Sequence, residues 1–257
     1  MSWREQYIAF ATIVRKEVTR VFRIWPQTLV PPVVTQTLYF LIFGRLIGAQ
    51  IKGIHGVSYM AFIIPGLVMM AVINNSFVNV VGSFFSAKFQ RSVEEILVSS
   101  ASNKVIIAGY ITGGVVRGIF VGALVFLVSI FFSRPALSHP GIIVAFIVLT
   151  SVVFALGGFL NAIFAKKFDD ISIFPTFILT PLIYLGGVFY SVQDLPPFWR
   201  ALSHYNPVLY MVNGFRYGFH GFSDVNVLLS FLLLAALAVI LTALNVYLLG
   251  RGTGLKT

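Results

Sequence analysis

The composition of this 257-residue chain, 58% apolar and only 10% charged, with a mean hydropathy of +0.93, excludes an ordinary water-soluble domain and indicates a bilayer as solvent. The net charge of +10 does not predict nucleic-acid binding, because the basic residues stand beside apolar stretches, where anionic lipid headgroups and membrane topology account for them. The absence of cysteine excludes disulfides, thiolate metal sites and a cysteine nucleophile.

The N-terminal segment predicts an amphipathic helix. Apolar residues recur at steps of three and four and form one stripe at 3.6 residues per turn: Trp3, Tyr7, Phe10, Val14, Val18, Val21 and Trp25. The basic residues occupy the opposite side: Arg4, Arg15, Lys16, Arg20 and Arg23. This pattern is typical of a helix lying flat in the headgroup layer, although a charged leader that only sets topology would carry the same residues. Pro26, Pro31 and Pro32 then turn the chain into the membrane.

Six apolar stretches of about 20 residues predict six membrane-spanning helices, because backbone groups in a bilayer must bond within their own segment. They cover residues 27–48, 61–86, 105–131, 142–165, 172–191 and 226–249. All are too long for the strands of a membrane barrel. The predicted fold is therefore an all-α membrane protein, with residues 1–257 forming a single transmembrane domain.

The distribution of basic residues predicts that both termini are cytoplasmic. Most of them fall on the side that holds the N-terminus: Arg4, Arg15, Lys16, Arg20, Arg23, Lys88, Arg91, Lys104, Lys166, Lys167, Arg251 and Lys256. The other side holds fewer: Arg45, Lys52, Arg134, Arg200 and Arg216.

Polar residues inside the predicted spans are candidates for a substrate path. Asn75, Asn79 and Ser83 form a polar stripe on the second span. This stripe could hold helices together by hydrogen bonds or line the path. Arg117 lies deep in the third span, so it must pair with helix-end carbonyls or a neighbouring polar residue, or contact an anionic substrate. Its neighbours Gly114, Gly118 and Gly122 have the spacing of a close helix contact.

Two loops carry further candidates. In the first cytoplasmic loop, apolar residues at helical spacing alternate with charges and predict a short amphipathic helix that a partner could contact; its candidate contact residues are Arg91, Glu94, Glu95, Ile96 and Leu97. The loop before the last span, of about 34 residues, is unusually long and rich in aromatics, including Phe198, Trp199, Tyr205 and Tyr210. We expect short helices, broken at Pro207 and the glycines, that re-enter the outer leaflet, or else an ordinary interfacial cap.

Catalytic and nucleotide-binding motifs are absent from the sequence. No phosphate-binding loop with its Lys-Ser/Thr ending is present, and no metalloprotease or serine-hydrolase motif occurs. The histidines, His55, His139, His204 and His220, are far apart along the chain, so no metal site is predicted. No carboxylate lies within the predicted spans, which disfavours an ion-coupled carrier. We therefore expect no enzyme activity, no metal and no cofactor on this chain.

The stretch Leu185-Gly-Gly-Val-Phe-Tyr-Ser-Val-Gln-Asp-Leu-Pro-Pro-Phe-Trp-Arg, with Asn206-Pro207, Tyr210 and Arg216 after it, resembles the end of ABC-2 type permeases. Ile64-Pro65-Gly66-Leu67 and Glu94-Glu95-Ile96-Leu97-Val98 agree with the same family. The resemblance covers nearly the whole chain and extends to short bacterial inner-membrane permeases, with kinship to O-antigen, teichoic-acid and drug exporters.

The resemblance implies a type V exporter fold, with an N-terminal interfacial helix, six spans and re-entrant helices before the sixth. It further implies a homodimer with a separate cytoplasmic ATPase dimer, which binds ATP and Mg. Arg91, Glu94, Glu95, Ile96 and Leu97 would then couple to the ATPase, while Phe198, Trp199, Tyr205 and Tyr210 would form the outer gate. The expected substrate is a glycan, a glycolipid or a hydrophobic compound. A secondary transporter or channel that works without an ATPase is the alternative.

Overall fold

The computed structural model describes residues 2–51, 53–54, 56–99 and 101–254, without the side chains of residues 96–98. Throughout these residues the regular structure is helical, and an isolated β-bridge joins Ile54 and Val57, so the predicted all-α class is confirmed. The helices are α1 (Trp3–Arg23), α2 (Trp25–Gln50), α3 (Tyr59–Phe89), α4 (Ser92–Val98), α5 (Asn103–Ser129), α6 (Pro140–Phe164), α7 (Asp170–Tyr184), α8 (Pro197–Ser203), α9 (Pro207–His220) and α10 (Val227–Gly250).

Within the described residues, five helices are long and apolar enough to cross a membrane: α2, α3, α5, α6 and α10. They coincide with the first four and the last of the predicted spans. Several extend past the predicted ends because polar residues cap them. Ser58 and Ser102 each accept a hydrogen bond from a backbone N–H in the first turn of α3 and α5. Such turns are helical without being apolar, so hydropathy alone misses them.

A spanning helix over the predicted fifth stretch, 172–191, is not confirmed. The helix α7 ends at Tyr184, and π-helical turns over Pro175–Leu179 interrupt it, because proline cannot donate to the helical ladder. At about 1.5 Å per residue it is about 22 Å long, less than the bilayer core of about 30 Å. The segment nevertheless runs from the end of α6, where Asn161 contacts the carbonyl of Ile171, to the start of α3, where Tyr59 donates to the carbonyl of Phe189.

Helix α1 runs alongside α5. The backbone N–H of Ser102 donates to Gln6, and a Cβ at Gly109 or Gly113 would meet Ile13 or Glu17 respectively. The contacts follow the same order along both helices, so α1 and α5 are parallel. The predicted placement of α1, flat in the headgroup layer, is not confirmed by these contacts. The predicted apolar stripe is exposed at Trp3 and Tyr7 and buried at Val21, and the side facing the bundle also carries Ile13 and Glu17, which lie outside the stripe.

Helix α3 forms the centre of the molecule and is buried on nearly all sides, between α5 and α6. The predicted close helix contact is confirmed, because a Cβ at Gly114 would lie 2.5 Å from Val80, and one at Gly122 would lie 2.6 Å from Val72. Gly118 similarly meets Ser76. The second glycine row, Gly109 and Gly113, instead admits α1.

The start of α1 and the end of α10 lie at the same end of the bundle. Gln6 of α1 contacts Ser102, which caps the start of α5. Gly250, the last residue of α10, lies beside Asn103. The N-terminal part of α1 and the end of α10 therefore share one face of the molecule.

Candidate functional site

A cluster of polar side chains lies between α1 and α3; we call Glu17, Arg20, Asn79 and Ser83 the inner polar cluster. Glu17 is fully buried, with its carboxylate 2.9 Å from the Arg20 guanidinium. Ser83 donates to the other oxygen of Glu17 at 2.6 Å. Arg20 also donates to the side-chain and backbone oxygens of Asn79, at 2.9 and 3.2 Å. The carboxylate is therefore paired and hydrogen-bonded, as a buried charge requires.

Sequence reasoning missed Glu17. Its signal is an acidic residue among the basic residues of the second half of the helix, three positions before Arg20, a spacing that places both on one face. The sequence does not reveal that this face packs inward. Packing requires Gly113, where a Cβ would lie 2.5 Å from the Cβ of Glu17.

Arg117 lies deeper, where α2 begins. Its Nη2 donates to Asn75 at 3.1 Å and to the carbonyl of Thr28 at 3.4 Å. Its Nε has no hydrogen-bond partner among the described residues. The structure thus brings Arg117 together with Asn75, and Asn75 and Asn79 share one side of α3. This contact is compatible with both sequence-based interpretations of these residues, helix packing and a substrate path.

The helix predicted in the loop after the second span is present as α4. Arg91 separates it from α3 in a left-handed conformation, φ 58°, which costs a non-glycine residue energy and makes a sharp turn. Glu94 and Glu95 are exposed. The side chains of Ile96 and Leu97 lie outside the described residues.

The turn between α3 and α4 contacts the loop between α6 and α7. The Lys88 ammonium donates to the carbonyls of Ile163 and Ala165, at 2.8 and 2.7 Å, and so caps the end of α6. The rings of Phe89 and Phe168 are 4.9 Å apart, in edge contact. The turn before α4 is therefore attached to the end of α6.

The aromatic loop before α10 forms a helical hairpin, α8 and α9. Phe198 and Tyr205 are 71% and 88% exposed, and Trp199 is 46% exposed, whereas Tyr210 is buried and donates to the carbonyl of His204. Three of the four predicted gate residues thus lie on the surface and the fourth inside.

The predicted break at Pro207 is confirmed, because α9 begins there. The prediction that glycines break this segment is wrong for Gly214 and Gly218, which lie within α9. A side chain at these positions would collide with Phe146 or Ile143 of α6, so the glycines allow close packing. Only Gly221, with φ +75°, ends the helix.

Helix α9 begins in the interior and ends at the end of the bundle where α3 begins. Asn206, just before it, donates to the carbonyl of Leu182 at 2.6 Å. Pro207 lines a cavity of about 420 Å³ together with Phe77 of α3. At the other end, His220 contacts the carbonyl of Ala61, near the start of α3, at 2.9 Å. Burial lowers the pKa of His220.

Arg216 on α9 is an interior residue that the sequence-based topology assigned only to the outer side. It donates to the carbonyl of Gly187 at 2.7 Å, and its guanidinium carbon lies 3.9 Å from the centre of the Phe62 ring, a cation–π contact. Burial lowers the pKa of Arg216 to about 10, while Asp224 acts in the opposite direction. Asp224 in turn accepts from Ser191. This network attaches α9 to the turn after α7.

Among the described residues, no group of three or more His, Cys, Asp or Glu side chains comes together to hold a metal ion. The His139 ring instead stacks on Tyr217, with centroids 4.9 Å apart. His55 lies outside the described residues.

Comparison with known proteins adds an independent observation. Residues 8–220, from α1 to the end of α9, match the ABC-2 type transporter family. The chain belongs to this family. Membership in the ABC-2 family is supported by full-length relatives. The inner membrane transport permease YadH of Escherichia coli K12 is 56% identical over 252 residues, 98% of both chains.

More distant relatives include nodulation protein J of Sinorhizobium fredii. It is 26% identical over 217 residues, which cover 83% of this chain and 78% of that protein. Nodulation protein J of Rhizobium meliloti is 22% identical over 225 residues, with the same coverage.

Proposed function

We propose that this chain is the membrane subunit of an ATP-driven exporter in the bacterial inner membrane, with a second copy of itself and two copies of a separate ATPase. The observation that carries the proposal is the 56% identity, across 98% of both chains, to a protein named an inner membrane transport permease. The motor belongs to another polypeptide, because the sequence contains no phosphate-binding loop.

The proposed topology has six crossings. Five are made by α2, α3, α5, α6 and α10, and the sixth by α7 with the residues up to 189. This sixth crossing is required if the start of α1 and the end of α10, which share one end of the bundle, face the cytoplasm together. The non-helical part of this crossing is packed against α3, where irregular backbone can be satisfied by protein instead of lipid. The hairpin of α8 and α9 re-enters from the outer side.

The proposed contact with the ATPase is α4, through Arg91, Glu94, Glu95, Ile96 and Leu97. Exposure of both glutamates supports this role, as does the attachment of the adjoining turn to α6 through Lys88. Movement of α4 would be transmitted to α3 and α6 together, which is how a rigid helix pair can alternate access.

The proposed path lies between two copies. Exposed aromatic and aliphatic side chains cover α7, α8 and the connection from α8 to α9, among them Phe177, Phe198 and Tyr205, and rings of this kind can contact either sugars or lipids. Asn75, Asn79 and Arg117 are buried within one copy, so they would line the path only if transport moves the surrounding helices apart. The proposed substrate is a glycan, a glycolipid or a hydrophobic compound.

The test is co-purification with the ATPase encoded beside this chain. We expect the chain alone to hydrolyse no ATP and to retain that ATPase in detergent. The double substitution Glu94→Arg and Glu95→Arg should lower the retained ATPase at least tenfold, because it reverses the charge of the exposed side of α4. Asp169→Arg, an exposed charge reversal in the neighbouring loop, is the matched control and should retain it fully.

Retention of the ATPase by the α4 variant would contradict the coupling assignment, and absence of any ATPase partner would contradict the exporter. The alternative is a carrier driven by an ion gradient, and buried Glu17 supplies a carboxylate that such a carrier needs. Its pairing with Arg20 and Ser83 favours a structural role. Substrate movement in vesicles that follows a proton or sodium gradient, without ATPase, would identify the carrier.

A further inference from the structure

A groove of about 900 Å³ opens on the surface between α5, α6 and α10. Small side chains on two of these helices, Ala108, Ala238 and Ala243, leave the gap, with Ile107 and Val152 beside them. The hydroxyl of Thr242 is turned back to the carbonyl of Ala238, at 2.7 Å. The groove therefore presents almost only hydrocarbon to whatever enters it.

Basic side chains lie at one end of this groove. Lys104, in the first turn of α5, and Tyr247, near the end of α10, both line it. The Arg251 guanidinium lies 4.4 Å from the centre of the Tyr247 ring. The sequences of α5, α6 and α10 contain no Asp or Glu, so these helices offer the two cations no carboxylate. The positive end of the α5 dipole adds to the same potential.

The length of the groove matches one leaflet of a membrane. Along α10 the lining extends from Tyr247 to Ala238, which is about 14 Å at 1.5 Å per residue. Half of a hydrocarbon core of about 30 Å is about 15 Å. The charged end lies where α5 begins and α10 ends, so the apolar part extends from the headgroup level to about the bilayer midplane.

We propose that this groove binds one anionic glycerophospholipid, with its phosphate at Lys104 and Arg251 and its acyl chains along Ala108, Ala238 and Ala243. The lipid belongs to the leaflet that contains the start of α5 and the end of α10. It fills the gap between α10 and α5 and so holds the last helix against the bundle. The site requires only that the chain spans a membrane and is independent of the ATPase and of the exported compound.

The test is native mass spectrometry of the purified chain with equimolar phosphatidylglycerol and phosphatidylcholine in detergent. We expect at least a tenfold preference for phosphatidylglycerol, since each basic residue near a membrane surface strengthens anionic lipid binding several-fold. Lys104→Gln with Arg251→Gln should bring the two lipids close to parity. Arg4→Gln with Arg15→Gln, two exposed cations of α1, is the matched control and should keep the preference.

A second pair of variants tests the apolar part. Ala108→Phe with Ala243→Phe fills the groove from exposed positions and should lower retention of both lipids at least tenfold. Ala236→Phe, exposed on α10 outside the groove, should not. Circular dichroism and size-exclusion chromatography confirm folding of each variant. Equal retention of both lipids by the unmodified chain would overturn the proposal, as would a loss of phosphatidylglycerol preference in the α1 control variant as large as the loss in the Lys104→Gln, Arg251→Gln variant.

Discussion

At the scale of single residues, the partners of buried charges decide how α1 is attached. The cations of α1 look alike in the sequence, yet Arg15 is exposed while Arg20 neutralises a buried carboxylate. An unpaired ion in a protein interior costs several kcal/mol. Two residues of the same type, five positions apart, therefore have different energetic roles.

Substitution of Arg20 by Gln should destabilise the protein by roughly 2 kcal/mol, because it leaves Glu17 buried without its cation. The value lies below the full cost of breaking a buried pair, since a quarter of the Arg20 side chain is exposed. Arg15→Gln is the matched control and should change stability by less than about 0.5 kcal/mol. Unfolding in detergent, followed by intrinsic fluorescence, measures both.

A double-mutant cycle separates this pairing from general charge effects. Glu17→Gln combined with Arg20→Gln should recover at least half of the loss, because neither charge is then left alone. Equal effects of Arg15→Gln and Arg20→Gln would contradict the assigned pair.

At the scale of helices, glycine positions determine which helices can pack closely against each other. The spacing of Gly114, Gly118 and Gly122 was sufficient to predict a close contact, because such spacing puts all three on one face. Which helix fills that face, and that Gly109 and Gly113 serve another helix, follows only from the assembled bundle.

Gly66 on α3 provides a sharp test of helix packing. A Cβ there would lie 2.6 Å from the carbonyl oxygen and 2.9 Å from the Cα of Val188, and backbone atoms cannot rotate aside. Gly66→Ala should therefore cost about 2 kcal/mol of stability and separate α3 from the turn after α7. Gly82→Ala, on the same helix with nothing within 4 Å, should be neutral or stabilising by up to about 1 kcal/mol.

Thermal unfolding in detergent compares the two alanine variants directly. If Gly66→Ala were as stable as Gly82→Ala, the packing of the Val188 backbone on α3 would be wrong. Helix content by circular dichroism serves as the control that both variants still form the bundle.

At the scale of the whole molecule, two surfaces differ in character. One carries exposed rings on α7 and α8, and we assign it to the second copy. The other carries the apolar groove with its basic end, and we assign it to lipid. A two-fold dimer brings the same surface of both copies together, so residues near its axis approach their own equivalents.

Cross-linking tests the assignment of these surfaces. The chain has no cysteine, so a single introduced cysteine is the only thiol on it that the cross-linker can modify. Phe177→Cys, at a position 73% exposed on α7, should give cross-linked dimers in membranes with a short bis-maleimide. Val239→Cys, 68% exposed in the groove, should remain monomeric. Cross-linked dimers from Val239→Cys, with none from Phe177→Cys, would contradict this assignment and place the dimer interface at the groove.

The sequence by itself determined the helical class, the bilayer environment, five of the long helices, the short helix after Arg91 and the family. These features depend on local composition, periodicity and motifs, which act within one segment. Only the tertiary structure decided that the Glu17 side of α1 faces the bundle, that α7 stops at Tyr184, and that Arg117 meets Asn75 and Thr28. The physical reason is that the inward face of a helix depends on partners distant in sequence. The Glu17 side of α1 can face inward because Gly113 leaves room for it and Ser83 donates a hydrogen bond to its carboxylate.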